Sequence, residues 1–500
     1  MYLIQENKEK ENYIKEMELE EKEKRKLRKL NNEQKRKLEE VLRKNDDRFS
    51  KNPYDIGKTD ILECEVNLID ENIEPITQRA FRMTKEENDL VREDVWEMIK
   101  KDIIEESQSQ WTSPCHFVMK KNGKKRLVHD FRKLNAVCKK DSFPLPRIDD
   151  LLGKFLGKRW YSSLDLTSGF WNIVVKKKDR EKLAFITSEG LYQFKRMPFG
   201  FCNAPGIFQR MMQKALGNLV HNKVLVYIDD IIIYSDTFEQ HLKDIDEVLG
   251  KLREANLKLG KEKCYFCQDE VEFLGFVVTE NGVKTSDSKI EKIRDFPRPK
   301  DITQLRGFLG LAGYYRKFIP RFSDIAKPMT KLLGKKEQYI WGKEQQRSFE
   351  RIKEKLINAP VLAYPDYDKP FIITTDASKI AIGAVIEQAD DKGNLHPIEY
   401  FHKTLSKQQQ RWHSNDWEYL AIIEAMKRFR HYFGNKKVLI KTDSKTAKWF
   451  FKQPIDDDTP NEGRRNRWKI IMQKYDYEME YIKGTQNKVA DTLSRTIYDE

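Results

Sequence analysis

The sequence has no run of about 18 consecutive apolar residues, so it predicts no membrane-spanning helix. Its first thirty residues are densely charged and lack the apolar centre of a secretory signal peptide. Cysteine is scarce, with 6 among 500 residues, and one Cys-x-x-Cys pair (Cys264 and Cys267) has no second pair or nearby histidine couple. Reduced, partly buried thiols in a reducing compartment are therefore favoured over a zinc site.

Charged residues are abundant: they make up 35% of the chain, against 39% that are hydrophobic. A chain of 500 residues exceeds what one hydrophobic core can hold, so several domains are expected. The formal net charge is +14. An excess of positive charge favours a polyanionic partner, either nucleic acid or an anionic membrane surface.

Residues 1–48 consist largely of glutamate, lysine and arginine, with a few apolar residues at helical spacing. This pattern predicts a charged N-terminal extension, either a solvated helix or a flexible segment. The basic run over residues 24–29 suits a nuclear-localisation or nucleic-acid patch, although in so charged a segment a solvated face is the commoner reading.

Two adjacent carboxylates, Asp229 and Asp230, stand at the centre of an apolar, β-branched and aromatic run over residues 224–234. Such a run predicts a buried strand or hairpin. Because successive strand residues point to opposite faces, both acids can share one site only near a hairpin tip. The run is therefore either an acidic turn between two strands or a Mg²⁺ site, since hard cations prefer carboxylate oxygens.

Other hairpins are predicted about Asn122-Gly123, Glu189-Gly190 and Asn281-Gly282. The first of them places five cations around a turn: Lys120, Lys121, Lys124, Lys125 and Arg126. Exposed lysines at a turn are common, and a phosphate-binding role requires a nucleotide site nearby. A strand over residues 160–166 carries Asp165 near its end, where a lone aspartate is usually a cap or turn former.

The pattern is helical from about residue 285 to residue 365. Four basic residues alternate with aromatic residues in this segment: Arg306, Arg316, Lys317 and Arg321. Such a stripe is typical of a core with a solvated face, and it also suits a groove that follows a nucleic-acid backbone.

Four acids in the last part of the chain repeat the pattern of the first site. Asp376 and Asp443 follow apolar strand patterns, whereas Glu418 and Asp491 lie in helical segments. Each alone can be structural. As a set they predict a second candidate two-metal centre.

Nine short motifs follow one another along the chain: Asp130-Phe131-Arg132-Lys133-Leu134-Asn135, Phe143-Pro144-Leu145-Pro146, Leu164-Asp165-Leu166-Thr167-Ser168-Gly169-Phe170, Met197-Pro198-Phe199-Gly200, Tyr227-Ile228-Asp229-Asp230, Phe273-Leu274-Gly275, Thr375-Asp376-Ala377-Ser378, Thr442-Asp443-Ser444 and Ala490-Asp491-Thr492-Leu493-Ser494-Arg495. In this order they resemble the reverse transcriptase–RNase H region of gypsy-type long-terminal-repeat retrotransposons, and plant pararetroviral polymerases look similar too. The likeness covers roughly residues 60–497.

The resemblance implies an α+β multidomain protein, in which a right-hand polymerase of fingers, palm and thumb precedes an RNase H-like α/β domain. The implied parts are the extension (1–48), fingers and palm (49–284), a mainly helical thumb or connection (285–365) and the RNase H-like domain (366–500).

The implied activity is that of an RNA-directed DNA polymerase, a nucleotidyltransferase. Asp165, Asp229 and Asp230 would form its catalytic triad and hold two Mg²⁺, with Mn²⁺ as an alternative. The implied nucleotide-binding residues are Lys121 and Arg126 at the triphosphate, Phe170 as the aromatic gate that excludes a ribose 2′-hydroxyl, and Phe199 and Gly200 in the pocket wall. Residues 273–275 would help form the primer grip.

The resemblance also implies a ribonuclease H, an endonuclease that cuts the RNA strand of RNA–DNA hybrids. Asp376, Glu418, Asp443 and Asp491 would be its catalytic acids and hold a second pair of metal ions. Residues 481–484 stand where many RNase H domains carry a mobile histidine. Product release or pH dependence is therefore expected to differ from that of such domains.

The implied partners are an RNA or DNA template–primer, RNA–DNA hybrid, dNTPs and a tRNA primer. A second copy of the chain and the element's capsid and integrase are further candidates, and no membrane partner is expected. The implied location is the cytoplasm, within virus-like particles, with nuclear entry as a further step.

Two other functions fit parts of the sequence. A DNA-templated or repair polymerase of the same palm type would share the first triad, but the RNase H acids argue against it. A domesticated, non-catalytic nucleic-acid-binding or capsid-associated protein would tolerate loss of a carboxylate, yet all seven are present. The sequence shows neither a protease Asp-Ser-Gly or Asp-Thr-Gly signature nor an integrase zinc module, so either a fragment of a larger Pol product or a separate gene is expected.

Overall fold

The computed structural model describes residues 30–52, 54–119, 125–334, 337–454 and 463–482. The chain divides into two compact units, one ending at Phe273 and the other beginning at Leu274. The finer division at residues 48, 284 and 365 stays a prediction. Within the described ranges, none of the helices is both long enough and apolar enough to cross a bilayer.

Two helices of the first unit begin with a reciprocal pair of capping hydrogen bonds. Thr84 accepts a hydrogen bond from the backbone N–H of Glu87, whose carboxylate accepts one from the N–H of Thr84. Asn31 and Gln34 make the same reciprocal pair. The α-helices described in this unit are α1 (Asn32–Lys44), α2 (Lys85–Lys100), α3 (Arg132–Val137), α4 (Ile148–Leu152), α5 (Ala204–Leu216) and α6 (Phe238–Glu254).

Except for the last of them, Glu270–Phe273, the strands of the first unit form a four-stranded sheet, a five-stranded sheet and a short parallel pair. The strands are β1 (Thr59–Cys64), β2 (Ile104–Glu106), β3 (Ser113–Met119), β4 (Lys125–His129), β5 (Trp160–Asp165), β6 (Ile173–Val175), β7 (Ala184–Ile186), β8 (Leu191–Phe194), β9 (Val224–Tyr227), β10 (Asp230–Ser235), β11 (Tyr265–Gln268) and β12 (Glu270–Phe273). The four-stranded sheet has the order β11-β5-β10-β9, and the five-stranded sheet has the order β2-β8-β7-β3-β4.

The apolar run that the sequence places around the two acids forms the antiparallel pair β9 and β10. Alternate residues on one face, such as Val226 and Ile231, join the core that also contains Met212 of α5 and Val248 of α6. This packing fixes the register of the hairpin, because a slip by one residue would turn the apolar side chains away from the core.

The predicted hairpins are confirmed by strand pairing. β7 and β8 pair about Glu189-Gly190. β3 and β4 pair with Met119 opposite Lys125, while the turn itself, with Lys121, Asn122 and Gly123, lies outside the described residues.

The second unit contains a helical segment and a mixed sheet. Its described helices are α7 (Asp287–Arg294), α8 (Ile302–Tyr314), α9 (Phe322–Lys331), α10 (Lys343–Ile357), α11 (Ser414–Phe433), α12 (Lys445–Phe450) and α13 (Gly463–Met472). Its strands are β13 (Phe276–Thr279), β14 (Gly282–Thr285), β15 (Phe371–Ala377), β16 (Ala381–Ala389), β17 (Leu395–Thr404), β18 (Val438–Thr442) and β19 (Tyr477–Tyr481).

β13 and β14 form the hairpin predicted about Asn281-Gly282, although the turn consists of Glu280 and Asn281, because Gly282 already pairs with Thr279. The mixed sheet has the order β17-β16-β15-β18-β19. β15 runs antiparallel to β16 and parallel to β18. The long helix α11 covers one face of this sheet and contributes Ile422, Met426 and Phe429 to its core.

Candidate active sites

The two adjacent acids of the first site lie at the tip of the β9–β10 hairpin. Tyr227 pairs with Asp230, so the turn consists of only Ile228 and Asp229. Ile228 adopts φ +52°, as the first central residue of a type II′ turn does. A β-branched residue in this region is strained by about 1–3 kcal/mol, and such strain is common at functional sites.

Gln209 of α5 holds this strained turn in place. Its side-chain oxygen accepts a hydrogen bond of 2.7 Å from the N–H of Ile228, and its amide nitrogen donates one of 3.0 Å to the carbonyl of Val226. The residue is 1% exposed. One buried amide therefore fixes the backbone immediately before the two acids.

Asp165 joins the two acids from a distant part of the chain. It ends β5, where it lies directly opposite Asp230 in the antiparallel pairing of β5 and β10. Residues opposite one another in such a pair place their side chains on the same face. The ammonium group of Lys263 lies 3.1 Å from Oδ1 of Asp165. The structure thus brings all three predicted polymerase acids to one edge of the four-stranded sheet.

The electrostatics of this edge favour a cation. Burial raises the pKa of Asp229, and the charge of Asp165 raises it further, whereas Lys263 and Arg126 lower it. Burial raises the pKa of Asp230 to about 6, with added contributions from Asp229, Asp165 and Glu272. Both side chains remain accessible to solvent, so a cation can reach them. A divalent cation would offset the repulsion that raises both pKa values.

The loop after Asp165 is packed tightly against the hairpin tip. A Cβ on Gly169 would lie 3.1 Å from Oδ1 of Asp229 and 3.1 Å from the ring of Phe208, so this position has no room for a side chain. The amide of Asn172 donates hydrogen bonds to the carbonyls of Thr167 and Gly169. The loop that follows the first acid is therefore pinned beside the second.

A cavity of about 630 Å³ opens beside these acids. Its lining includes Asp165, Asp229, Lys125, Arg126, Phe199 and Gly200. The guanidinium carbon of Arg126 lies 4.6 Å from the centre of the Phe199 ring. The cavity thus combines carboxylates on one side with a stacked guanidinium on another, as a site for a phosphate-bearing ligand with a metal ion requires.

Phe170 stands behind the wall of this cavity rather than in it. The residue is 9% exposed, and its ring centre lies 5.1 Å from that of Phe199 and 5.4 Å from that of Phe208. Among the described lining residues, its neighbours Gly169 and Trp171 reach the cavity instead. In this conformation Phe170 can therefore exclude ribonucleotides only through its contact with Phe199, which does line the cavity.

The second site is assembled by the mixed sheet and α11. Asp376 lies near the end of β15, Asp443 directly follows β18, and Glu418 lies near the start of α11. Because β15 and β18 are parallel, their carboxyl ends meet at one edge of the sheet. One carboxylate oxygen from each residue lies within 4.8 Å of the others. No other three acidic, histidine or cysteine side chains in the described ranges converge this closely, so the acids of the first site are spaced more widely.

Burial raises the pKa of Glu418 well above its ordinary value, and the charges of Asp376 and Asp443 raise it further. Its buried oxygen Oε2 accepts no hydrogen bond from the residues described. Three oxygen ligands with an uncompensated carboxylate fit a hard divalent cation. Asp491 lies outside the described residues, as do Lys483 and Gly484; Tyr481, the last residue of β19, places its ring centre 5.2 Å from Nζ of Lys445.

Sequence reasoning missed the residues that position these acids. Gln209 and Lys263 each contact a partner that is distant in the sequence: Gln209 is 19 residues from Ile228, and Lys263 is 98 residues from Asp165. No periodicity marks such pairs. For Lys263, the excess of positive charge was the only signal. Asn172 bonds to nearby residues of its own loop, but an asparagine in a loop is too common to indicate that role.

Two family models match the chain. A model described as reverse transcriptase (RNA-dependent DNA polymerase) matches residues 118–278, and one described as the RNase H-like domain found in reverse transcriptase matches residues 341–440. Together they cover the three acids of the first candidate site and Asp376 and Glu418 of the second, whereas Asp443 and Asp491 lie beyond the matched ranges.

The chain is similar to the retrovirus-related Pol polyprotein from transposon 297 of Drosophila melanogaster, with 40% identity over 85% of this chain and 40% of that protein. It is 35% identical to the transposon Tf2-3 polyprotein of Schizosaccharomyces pombe, over 87% of this chain and 33% of that protein. The chain thus spans about two fifths or less of the length of these relatives.

A solved structure of the foamy viral protease-reverse transcriptase in complex with RNA/DNA hybrid has a TM-score of 0.77 to the chain, with 22% identity, covering 95% of this chain and 64% of that one. This likeness confirms the predicted α+β multidomain fold with an RNase H-like domain. The chain belongs to the reverse transcriptase and RNase H-like region of long-terminal-repeat retrotransposon Pol polyproteins.

Proposed function

We propose that the protein is an RNA-directed DNA polymerase that copies retrotransposon RNA into DNA and degrades the RNA strand of the resulting hybrid. The observation that carries the polymerase half is the pairing of Asp165 with Asp230 beside Asp229, at the mouth of a cavity that also contains Arg126. The nuclease half rests on the three converging carboxylates of the second site.

Asp165, Asp229 and Asp230 would hold Mg²⁺ at the first site, since the raised pKa values of Asp229 and Asp230 and the solvent access of these two carboxylates suit a hard cation. Bound Mg²⁺ ions would supply charge stabilisation for phosphoryl transfer at both sites. Arg126 is placed to bind the triphosphate of a dNTP, and Phe199 and Gly200 to line its pocket. Lys121 is proposed for the same role from its sequence position.

Phe170 is proposed to select deoxyribonucleotides by supporting Phe199 against the sugar. Its ring packs between Phe199 and Phe208, so truncation would leave space where a ribose 2′-hydroxyl could enter. The selection would then be steric rather than a matter of hydrogen bonding.

At the second site, Asp376, Glu418 and Asp443 would hold the metal ions that the nuclease reaction needs, and Asp491 would complete the set. Burial, and after it the charges of Asp376 and Asp443, raises the pKa of Glu418, so a bound cation would stabilise the site as well as the reaction. The substrate would be an RNA–DNA hybrid, the ligand of the foamy viral relative.

The net charge of +14 supports a nucleic-acid template–primer as the substrate. Binding that neutralises phosphates releases counterions, so affinity is expected to fall steeply as salt increases. A tRNA primer, a second copy of the chain, and the capsid and integrase of the element are proposed partners on the basis of family alone.

The experiment that tests the proposal is Mg²⁺-dependent dNTP incorporation on poly(rA)–oligo(dT) with a labelled RNA strand. The expected result is DNA synthesis together with shortening of the RNA. A second assay on poly(dA)–oligo(dT) separates an RNA-directed polymerase from a DNA-templated one. A strong preference for the DNA template would favour a repair polymerase. Binding without synthesis on either template would favour a non-catalytic nucleic-acid-binding protein.

A further inference from the structure

A buried cluster of charged and polar side chains joins the start of α9 to β17 of the RNase H-like sheet. The side chains of Arg321, Asp324 and His402 are 9%, 6% and 3% exposed. Nε and Nη2 of Arg321 lie 3.4 Å from Oδ2 of Asp324, and Nε2 of His402 lies 2.8 Å from the same oxygen. Buried charges of this kind are costly unless paired, so the arrangement requires a reason.

The register of the sheet places His402, one member of this cluster, on the same face as Asp376. His402 on β17 lies opposite Gly383 on β16, and Gly383 lies opposite Asp376 on β15. Residues that are opposite in antiparallel pairs share a face, so His402 and Asp376 lie on one face, two strands or about 10 Å apart. Gly383 contributes no side chain between them.

Arg321 fills a special position in the chain. Its backbone has φ +61°, a left-handed conformation that a residue with a side chain adopts at a cost, and it caps the start of α9. Burial lowers the pKa of its guanidinium; the carboxylates of Asp324 and Asp376 act in the opposite direction, and the nearby Arg351 acts with burial. Arginine nevertheless stays charged in proteins. Arg321 therefore places a permanent positive charge within electrostatic reach of Asp376.

We propose that Arg321 is a positioning residue of the nuclease centre: its charge, balanced by Asp324, sets how tightly Asp376, Glu418 and Asp443 bind a divalent cation. The inference rests on the proposed nuclease function of those three acids. With Arg321 and Asp324 paired, the local charge is nearly balanced. Removal of either partner alone upsets that balance, and the two removals act in opposite directions.

The test is a charge cycle in the full chain with Arg321→Gln, Asp324→Asn and the double variant. Arg321→Gln is expected to lower the Mg²⁺ concentration for half-maximal hybrid cleavage on the order of tenfold, because a nearby cation is lost. Asp324→Asn is expected to raise it by a similar factor, because the negative charge of Asp324 that balances Arg321 is lost. The double variant should return close to the wild-type value. The half-maximal Mg²⁺ concentration for DNA synthesis should not change in any of them.

A surface pair provides the matched control. Arg294 and Asp295 lie 3.1 Å apart with side chains 57% and 68% exposed. Arg294→Gln and Asp295→Asn change the net charge of the same unit equally, and they should leave the Mg²⁺ dependence of cleavage unaltered. Arg321→Lys keeps the charge but loses the planar guanidinium, so it should stay within about threefold of wild type if charge is what matters.

A purely structural role predicts a different result: all three substitutions would weaken the site, the double variant most, and Arg321→Lys would resemble Arg321→Gln. That pattern, or no change at all, would overturn the proposal. Mg²⁺ binding by calorimetry in an Asp229→Asn/Asp230→Asn background measures the same shifts without turnover. If the wild-type protein cleaves no hybrid, the proposed function fails, while the calorimetric shifts still decide the role of Arg321.

Discussion

Asp165 and Asp230 lie directly opposite one another on β5 and β10, although 65 residues separate them in the chain. The pairing places two carboxylates on one face of the sheet, and the two-residue turn adds Asp229 beside them. Burial, and after it repulsion from the charges of Asp229 and Asp165, raises the pKa of Asp230 to about 6. The fold therefore holds three carboxylates close together, and a bound cation would stabilise their charged forms.

The Mg²⁺ requirement of DNA synthesis should depend on pH. The pKa of Asp230 is raised to about 6, so below that pH its carboxyl group holds a proton that must leave before a metal ion can bind. The half-maximal Mg²⁺ concentration is therefore expected to rise as pH falls below about 6, by up to about tenfold per pH unit. Titrations of Mg²⁺ at several pH values measure this, and a constant half-maximal concentration between pH 5 and 7 would contradict it.

Acid should destabilise the first unit through His129. Burial among the rings of Phe185 and Phe194 lowers the pKa of this histidine to about 3. The unfolded chain binds a proton near pH 6.5, so stability is full above that pH and decreases as pH falls toward 3. At pH 5 the loss is about 2 kcal/mol from this residue.

His129→Leu should remove that part of the pH dependence, because leucine suits the same apolar surroundings. Urea unfolding at pH 7 and pH 5 measures the difference. The matched control is His396→Gln, since the side chain of His396 is 52% exposed. If His129→Leu lost as much stability between the two pH values as wild type, His129 would not be the group responsible.

Loss of the two hydrogen bonds that Gln209 makes to the hairpin should lower both the stability of the protein and its rate of DNA synthesis. Gln209→Leu leaves the N–H of Ile228 and the carbonyl of Val226 without their partner, which costs about 2–4 kcal/mol in the free energy of unfolding. Misplacement of the hairpin tip should also slow dNTP incorporation. Gln213→Leu, one turn further along α5 and partly exposed, serves as the control. Equal effects of the two substitutions would show that these hydrogen bonds have no special role.

Phe170→Ala should relax discrimination against ribonucleotides. The substitution removes the ring that packs behind Phe199, so the pocket wall can move into the space that this ring occupied. Single-nucleotide incorporation of dNTP and rNTP measures the selectivity ratio, expected to fall on the order of tenfold or more. Phe208→Ala, which removes the other ring against Phe170, should have a smaller effect. An unchanged ratio for Phe170→Ala would exclude this residue as the gate.

Local patterns were enough to predict the strands, the hairpins and the acids at their ends. The β9–β10 hairpin follows from β-branched alternation, and Asp376 and Asp443 follow from apolar runs that end in an acid. The meeting of Asp165 and Asp230 could be predicted only from the family resemblance, because sequence periodicity carries no information about which distant strands pair.

The residues that tune the sites could not be predicted in this way. Arg321 belongs to a basic and aromatic stripe that indicated a solvated face or a nucleic-acid groove, yet its side chain is buried against Asp324. His402 reaches the same carboxylate from a strand 78 residues later. Such contacts depend on how distant segments pack together, so neither residue type nor spacing in the sequence predicts them.

The central claim is that one chain contains two separate metal sites, one for DNA synthesis and one for RNA cleavage. Asp229→Asn and Asp443→Asn, assayed side by side on a labelled RNA–DNA template–primer in Mg²⁺, test it most directly. The account predicts that Asp229→Asn abolishes synthesis but still shortens the RNA strand, and that Asp443→Asn does the reverse. Loss of both activities in either variant, or full retention of synthesis in Asp229→Asn, would contradict it.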